Sequence, residues 1–395
     1  MTPNIVALPA GELEVSVVIP CLNEEATVGY CVVRAVNALR ANGIPGEVIV
    51  ADNGSTDASR EVATAQGARV VTAEAKGYGS ALMAGINASR GHFIIMGDAD
   101  GSYDFNETPR LVDMLRKGFD LVQGCRLPQG GGRIARGAMP WSHRWIGNPV
   151  LTTLARTMFK TPINDVYCGL RGFTKTFYNR IDLRCTGMEF ATEMIIRAAQ
   201  LEAPTTELPI TLHPDGRQGR ASHLRTFRDG WRTLRLFLLY SPRWLLLIPS
   251  LFMLALGFVG GILAWTGFSI GRASLGPHSL LVSIVCILIG YQGLFLAIFT
   301  RTFAWRAHLA PPSPFLLTFY KVFTLEKGLA LSLLAGLAGA VLIGVVFFQW
   351  AACGFGELAY VESMRVTVPG VLLVALATQT FFGSFVISLS SLERR

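Results

Sequence analysis

Ile94–Phe105 reads IIMGDADGSYDF. The apolar run from Phe93 to Met96 has the character of a buried strand, and it stops abruptly at Asp98, Asp100 and Asp104. Carboxylates crowded at the mouth of such a strand raise each other's pKa and weaken the fold. A bound cation is the first candidate to offset that. The D-x-D spacing of Asp98 and Asp100 suits one Mg²⁺ or Mn²⁺, which takes oxygen ligands, accepts few from protein and completes its shell with phosphates. The stretch therefore points to a diphosphate partner. Asp104 falls outside that set and is read as the cap of a helix starting near Asn106.

Outward from this strand the chain alternates. Glu14–Pro20 (EVSVVIP), Gly46–Asp52 (GEVIVAD), Ala68–Ala73 (ARVVTA), the run ending at Asp98 and Phe119–Gly124 (FDLVQG) read as strands, separated by helical spacing over Asn23–Ala41, after Ser55–Thr56 and from Lys76 on. Such alternation predicts an α/β domain with a mostly parallel sheet covered by helices on both faces. Ligands of these sheets bind beyond the carboxyl ends of the strands. Those ends carry Pro20, Asn23, Glu24 and Glu25; Asp52, Asn53, Ser55 and Asp57; Lys76, Gly77 and Gly79; and Asp98, Ala99 and Asp100. Gly77-Tyr78-Gly79 permits close backbone approach at a helix N-terminus aimed at the rim, which suits a phosphate or sugar. Neither a G-x-G-x-x-G fingerprint nor a G-x-x-x-x-G-K-[ST] loop occurs, so dinucleotide binding and ATP hydrolysis are unsupported.

The 395 residues are 51% apolar and 16% charged, unevenly distributed. After Arg243, four runs are long enough to span a bilayer: Trp244–Phe268, Leu280–Thr300, Leu329–Trp350 and Val368–Leu389. The expected organisation is a domain over residues 1–220, a basic amphipathic interfacial segment over 221–243 and a four-helix transmembrane domain over 244–395. Arg301, Arg306, Lys321 and Lys327 lie between spans two and three, and Arg232, Arg235 and Arg243 precede span one. The positive-inside rule then places the first domain and both termini in the cytosol of a cell (inner) membrane protein. The start, MTPNIVALPAGELE, lacks the basic n-region of a signal peptide. The seven cysteines show no C-x-x-C pairing and suit neither a zinc site nor a disulfide framework. The formal charge of +8 concentrates between His213 and Arg243, where it serves lipid headgroups or an anionic substrate at the membrane surface. Nucleic acid is not an expected partner; a homo-oligomer is left open.

VSVVIPCLNEE, VIVADNGSTD and IIMGDADGSYDF resemble the inverting family-2 glycosyltransferases of the GT-A fold. The resemblance assigns Asn23, Glu24, Glu25, Asp52 and Ser55 to the nucleoside of a nucleotide sugar, and Asp98 and Asp100 to the metal on its diphosphate. DLVQGCRL, RWIGNPVLTTLAR, INDVYCGLRGF, GMEFATEMIIRA and LRTFRDGWRTLRLFLLYSPRW follow in order. They are similar to the polyprenyl-phosphate glycosyltransferases of dolichol-phosphate mannose or glucose synthase type. The implied reaction moves a hexose from UDP-glucose or GDP-mannose to a polyprenyl phosphate with inversion. Its anionic acceptor would need a basic cleft, for which Arg126, Arg144, Asn148, Arg171, Arg217, Arg220, Ser222 and Arg225 are the candidates, arginine being suited to bidentate phosphate binding. Tyr240 and Trp244 are expected at the membrane interface.

Asp165 matches an acidic position of the family near the reaction centre. It is read as organising the acceptor or the arginines, as a base, or as a helix cap or ion-pair partner of Arg171. Glu189 and Glu193, four apart on one helical face, are divided between a site role and a structural one. The family's G-x-S-K loop is represented by RQGRASHLR, with His223 in place of lysine, and Gly101 replaces a frequent acidic residue. Two competitors share parts of this pattern. A processive polysaccharide synthase would carry Q-x-x-R-W, which is absent. A flippase or transport component would carry charges inside its spans, and these four contain essentially none.

Overall fold

The computed structural model describes residues 12–217, 226–271, 273–306 and 313–391. The chain divides after Tyr240 into two compact units. In the first, strand and helix alternate through β1 (Val15–Cys21), α1 (Val28–Ala41), β2 (Gly46–Asp52), α2 (Ser59–Ala65), β3 (Arg69–Thr72), α3 (Tyr78–Ala88), β4 (Phe93–Met96), α4 (Thr108–Arg116) and β5 (Leu121–Cys125). Then come β6 (Arg133–Ile134), α5 (Asn148–Phe159), β7 (Arg171–Thr174), α6 (Lys175–Ile181), α7 (Phe190–Gln200), β8 (Thr205–Pro209), β9 (Thr211–Leu212) and α8 (Thr226–Tyr240). The sheet order is β3-β2-β1-β4-β7-β5-β8. All pairs are parallel except those of β7, which runs antiparallel between β4 and β5. The sheet is mostly parallel, as alternation predicts; the inserted β7 begins at Arg171, well beyond the end of β5 at Cys125 and past β6 and α5, where no local periodicity announces it.

β1 is buried along its whole length, as befits a strand covered on both faces. Its pairing with β4 ends at Val18–Met96, while pairing with β2 continues to Cys21–Asp52. Pro20 therefore sits where β4 no longer pairs, a position that tolerates a missing N–H. Neighbours of β1 lie in opposite chain directions from it, β2 to one side and β4 to the other, so a crevice opens at their carboxyl ends. Helix α1 starts at Val28 rather than Asn23, because Asn23 takes a left-handed φ of 57° that a helix cannot continue.

The basic helix α8 turns Thr233, Leu236 and Phe237 inward at helical spacing. Phe237 meets Phe159 of α5 edge-on at 5.7 Å. The opposite side leaves Trp231 and Leu239 exposed. Tyr240 donates its hydroxyl to Glu193 of α7.

The second unit contains α9 (Ile248–Thr266), α10 (Pro277–Arg306), the short α11 (Pro314–Val322), α12 (Leu325–Ala352) and α13 (Tyr360–Ser391). Four stretches are long and apolar enough to cross a membrane: Arg243–Thr266, Pro277–Arg306, Leu325–Ala352 and Tyr360–Ser390. They contain the four expected runs almost entirely and extend past most of their apolar ends, since helical hydrogen bonding continues through polar termini. Small residues bring these helices close. A Cβ on Gly339 of α12 would lie 2.7 Å from the Gly370 carbonyl of α13.

Candidate active site

The loops after β1 and β2 are laced together by their own polar groups. The Asn23 N–H donates to Ser55 Oγ at 2.9 Å, and Asn23 Oδ1 accepts the Thr56 N–H at 2.8 Å. Glu24 N donates to Ser59 Oγ, and exposed Glu25 accepts from Ala58 N. Asp52 is fully buried and accepts the N–H groups of Gly54 and Ser55 and Arg60 Nε at 2.7 Å. Burial pushes its carboxyl up, but the bonds from Ser55, Arg60 and Gly54 outweigh that and hold it below the usual range. Asn53 reaches the next loop, accepting Gly77 N at 2.7 Å and donating to the Ala75 carbonyl at 2.8 Å. Pro20 is buried behind this rim and Lys76 is exposed on it.

Gly77 and Gly79, expected to admit a phosphate or sugar, serve a different contact. Their missing side chains make room for the segment before α7, not for open rim. A Cβ on Gly77, at φ 135°, would lie 2.3 Å from the Thr186 carbonyl, and one on Gly79 would lie 2.4 Å from that of Cys185. The Ser80 N–H in the first turn of α3 already donates to Thr186 O. Glu193 secures the same segment by accepting Arg184 N and Cys185 N at 3.0 and 2.8 Å. Glu193 is thus a fully buried structural anchor, while Glu189 faces Arg232 at 3.6 Å.

The two carboxylates after β4 are held differently. Asp98 Oδ1 accepts the Tyr78 hydroxyl at 2.8 Å, and Oδ2 faces Gly169, where a Cβ would come within 2.6 Å. Asp100 Oδ1 accepts both Ser102 N and Ser102 Oγ, at 2.9 and 2.6 Å. Burial, then the Asp100 charge, pushes the Asp98 carboxyl up to about 6. Ala99 between them is buried, and Gly101 turns the chain with a φ of 77°. Asp104 accepts Asn106 N, as a cap should, and also pairs with Arg34 at 2.8 Å. Among the described residues, no cluster of three or more acidic, His or Cys side chains forms a metal cage. A two-carboxylate platform with repelling charges still fits a small hard cation whose other ligands are phosphate and water.

Arg217 stands beside this pair. Its Nε donates to Glu24 Oε1 at 2.8 Å, its Nη2 lies 2.5 Å from the same oxygen, and Nη2 is 3.8 Å from Asp100 Oδ2. Glu24, Asp100 and Arg217 thereby meet at one point. Arg220, Ser222 and Arg225, with His223, lie outside the described residues.

Asp165 is fully buried and bonded to Arg126 rather than to Arg171. Its Oδ2 accepts Arg126 N and Nε at 2.9 and 2.7 Å, and its Oδ1 accepts Nη2 at 2.8 Å. Tyr103 joins this group, its hydroxyl accepting Gly169 N at 2.8 Å. Arg171 departs from expectation. It is fully buried, and its donors go to the carbonyls of Ala191 and Cys168, so it props the floor of the site and cannot meet a lipid phosphate. Burial pulls its pKa down. Arg144 lies in a π-helical turn, His143–Gly147, with its guanidinium 5.3 Å from the Trp145 ring. Asn148 opens α5 and donates to Met139 Sδ.

The structure adds Tyr78, Tyr103 and Gly169 to the site. Each lies inside one of the motifs, but its contacts are distant in sequence: Tyr78 bonds Asp98 across 20 residues, and Gly169 bonds Tyr103 across 66.

The alternating sheet, the carboxylate pair at its switch point and the four apolar helices define a membrane-bound glycosyltransferase of the GT-A fold. Residues 16–181 match the glycosyl transferase family 2 description, and residues 298–391 match the family 2 C-terminal transmembrane region. The chain is 36% identical to the low-salt glycan biosynthesis hexosyltransferase Agl6 of Haloferax volcanii, over 94% of this chain and 88% of that one. It belongs to glycosyltransferase family 2. A dolichyl-phosphate hexose transferase of the same organism is 29% identical over 50% of this chain and 82% of its own. The solved glucosyl-3-phosphoglycerate synthase of Mycobacterium tuberculosis, bound to phosphoglyceric acid, is similar at a TM-score of 0.46 and 22% identity, covering 59% of this chain and 81% of that one.

Proposed function

We propose that the protein transfers a hexose from a nucleotide sugar to a polyprenyl phosphate at the cytosolic face of the membrane. The observation that carries this reading is the carboxylate pair Asp98 and Asp100 after β4, with Arg217 3.8 Å from Asp100 and bonded to Glu24. An acidic pair is suited to a divalent ion, and a guanidinium beside it to phosphate. Mg²⁺ or Mn²⁺, when bound by Asp98 and Asp100, would neutralise charge on the nucleoside diphosphate. Asn23, Glu25, Asp52, Asn53 and Ser55 are proposed to line the nucleoside side of the rim, with Pro20, Lys76 and Ala99 shaping it.

The acceptor phosphate is ionised at neutral pH, so its oxygen attacks the anomeric carbon without a strong base. The new carbon–oxygen bond forms as the bond to the diphosphate breaks, and the electron pair leaves with the nucleoside diphosphate. In-line attack inverts the centre, so an α-linked donor yields a β-linked lipid phosphate sugar. Asp165, with both oxygens on Arg126, is assigned to positioning that arginine rather than to proton abstraction. Arg126, Arg144 and Arg217, with Asn148, are assigned to the acceptor's side.

A lipid acceptor is supported by surface as well as by the name of the Haloferax relative. Trp141, Trp145, Ile146 and Val150 are all more than half exposed around Arg144, an aromatic and basic combination suited to headgroup level. The outer side of α8 adds Trp231 and Leu239 with exposed Arg228 and Arg235. Purified protein supplied with Mg²⁺, undecaprenyl or dolichyl phosphate and a panel of nucleotide sugars should release nucleoside diphosphate and form a lipid phosphate hexose seen by mass spectrometry. Absence of both products across the panel would overturn the proposal.

A further inference from the structure

The membrane unit contains a groove unrelated to transfer chemistry. A cavity of about 660 Å³ lies among the Thr266 end of α9, the start of α10 and the start of α13, with Leu342 of α12. That volume falls in the range of small-molecule sites. Its wall is apolar, formed by residues such as Phe258, Ile262, Ile284 and Leu372, and carries two charges, Glu362 and Arg365. Phe258, Ile262 and Trp265 remain 53%, 62% and 55% exposed, so the groove is open sideways.

Glu362 and Arg365 are i, i+3 neighbours at the head of α13, yet neither makes an ion pair with a described residue. The local architecture presents Arg365. Pro369 has no N–H, which deprives the Arg365 carbonyl of its helical partner; Trp265 Nε1 donates to that carbonyl at 3.3 Å instead. The guanidinium rests against Gly267, where a Cβ would lie 2.9 Å from Nη2. An apolar slot ending in one cation and one anion is complementary to a lipid whose head carries both charges.

We propose that this groove binds a zwitterionic aminophospholipid, with its phosphate on Arg365, its ammonium on Glu362 and an acyl chain along the apolar wall. The groove lies toward the membrane face opposite the one where α9 begins, so the bound lipid belongs to that far leaflet. A polyprenyl phosphate head lacks the ammonium and would meet Glu362 as a repelling charge, so the site is distinct from the acceptor's.

The full chain should be reconstituted into vesicles of equal phosphatidylethanolamine, phosphatidylglycerol and phosphatidylcholine, re-extracted in mild detergent and weighed by native mass spectrometry. Phosphatidylethanolamine should be the retained lipid. Arg365→Gln should reduce its retention roughly tenfold, the loss expected when a charged hydrogen bond is removed. Glu362→Gln should keep a lipid but erase the preference over phosphatidylglycerol. Both variants should melt with the unmodified protein, since both residues are at a helix end. Retention unaffected by both substitutions, no retained lipid, or preferential uptake of added undecaprenyl phosphate would each overturn the proposal. The readout is binding, so it stands or falls separately from the transfer reaction.

Discussion

Arg217 holds Glu24 through Nε and Nη2 while the same Nη2 lies 3.8 Å from Asp100 Oδ2. One guanidinium thus links the loop after β1 to the carboxylate pair after β4. Arg217→Gln leaves buried Glu24 without its cationic partner, with only the Thr27 hydroxyl, among the described residues, on its carboxylate, which should cost about 1–3 kcal/mol of stability. Arg217→Lys should restore part of the stability but less of the activity, because an ammonium cannot bridge two carboxylates as a planar fork does. Denaturant unfolding and transfer assays on both variants check this.

Asp100→Asn should abolish turnover while the protein stays folded, since Asn retains an oxygen that accepts from Ser102. Binding of Mn²⁺ with nucleoside diphosphate, followed by calorimetry, should weaken in parallel. Normal turnover in this variant would remove Asp100 from the metal assignment.

Gly169→Ala is expected to act on Asp98 without touching substrate. The added methyl would lie 2.6 Å from Asp98 Oδ2, displacing the carboxylate that Tyr78 orients. Activity should fall by more than tenfold, whereas overpacking should cost only about 1–3 kcal/mol. A melting curve and a turnover number separate the two effects.

Asp165→Ala leaves Arg126 buried and uncompensated, and should destabilise the fold by about 3–5 kcal/mol. The double change Asp165→Leu with Arg126→Met should recover much of that stability, as apolar replacements of buried ion pairs do. If Arg126 serves the acceptor, the recovered protein should still fail to transfer. Full activity in the double variant would exclude both residues from the site.

Asp52 provides a pH test free of any metal. Its carboxyl is held below 3.8 in the folded protein by Ser55, Arg60 and Gly54 against the opposing effect of burial. Its stabilisation is present above the unfolded value and is lost as pH falls through the folded one. Unfolding free energy measured from pH 5 downward should therefore decline, and Asp52→Asn should show lower stability at pH 5 with a shallower decline.

What local sequence determined here is what short-range chemistry determines. Strand and helix alternation follows from hydrophobic periodicity, the spans from apolar run length, and the cap at Asp104 from an acidic side chain that bonds a nearby N–H. The carboxyl-end rule by itself brings Asn23, Asp52, Ser55 and Asp98 to one rim. Partners are another matter. Sequence proximity pairs Asp165 with Arg171, six residues away, but the sheet inserts β7 between β4 and β5, buries Arg171 under the site and delivers Arg126 from the end of β5. Gly77 and Gly79 announced a close approach without saying to what; the fold answers with Thr186 and Cys185, a hundred residues on. Period and length are properties of a segment, legible within it. Ion pairs, steric gaps and the groove at Arg365 are distances between segments, and only the packed chain sets those.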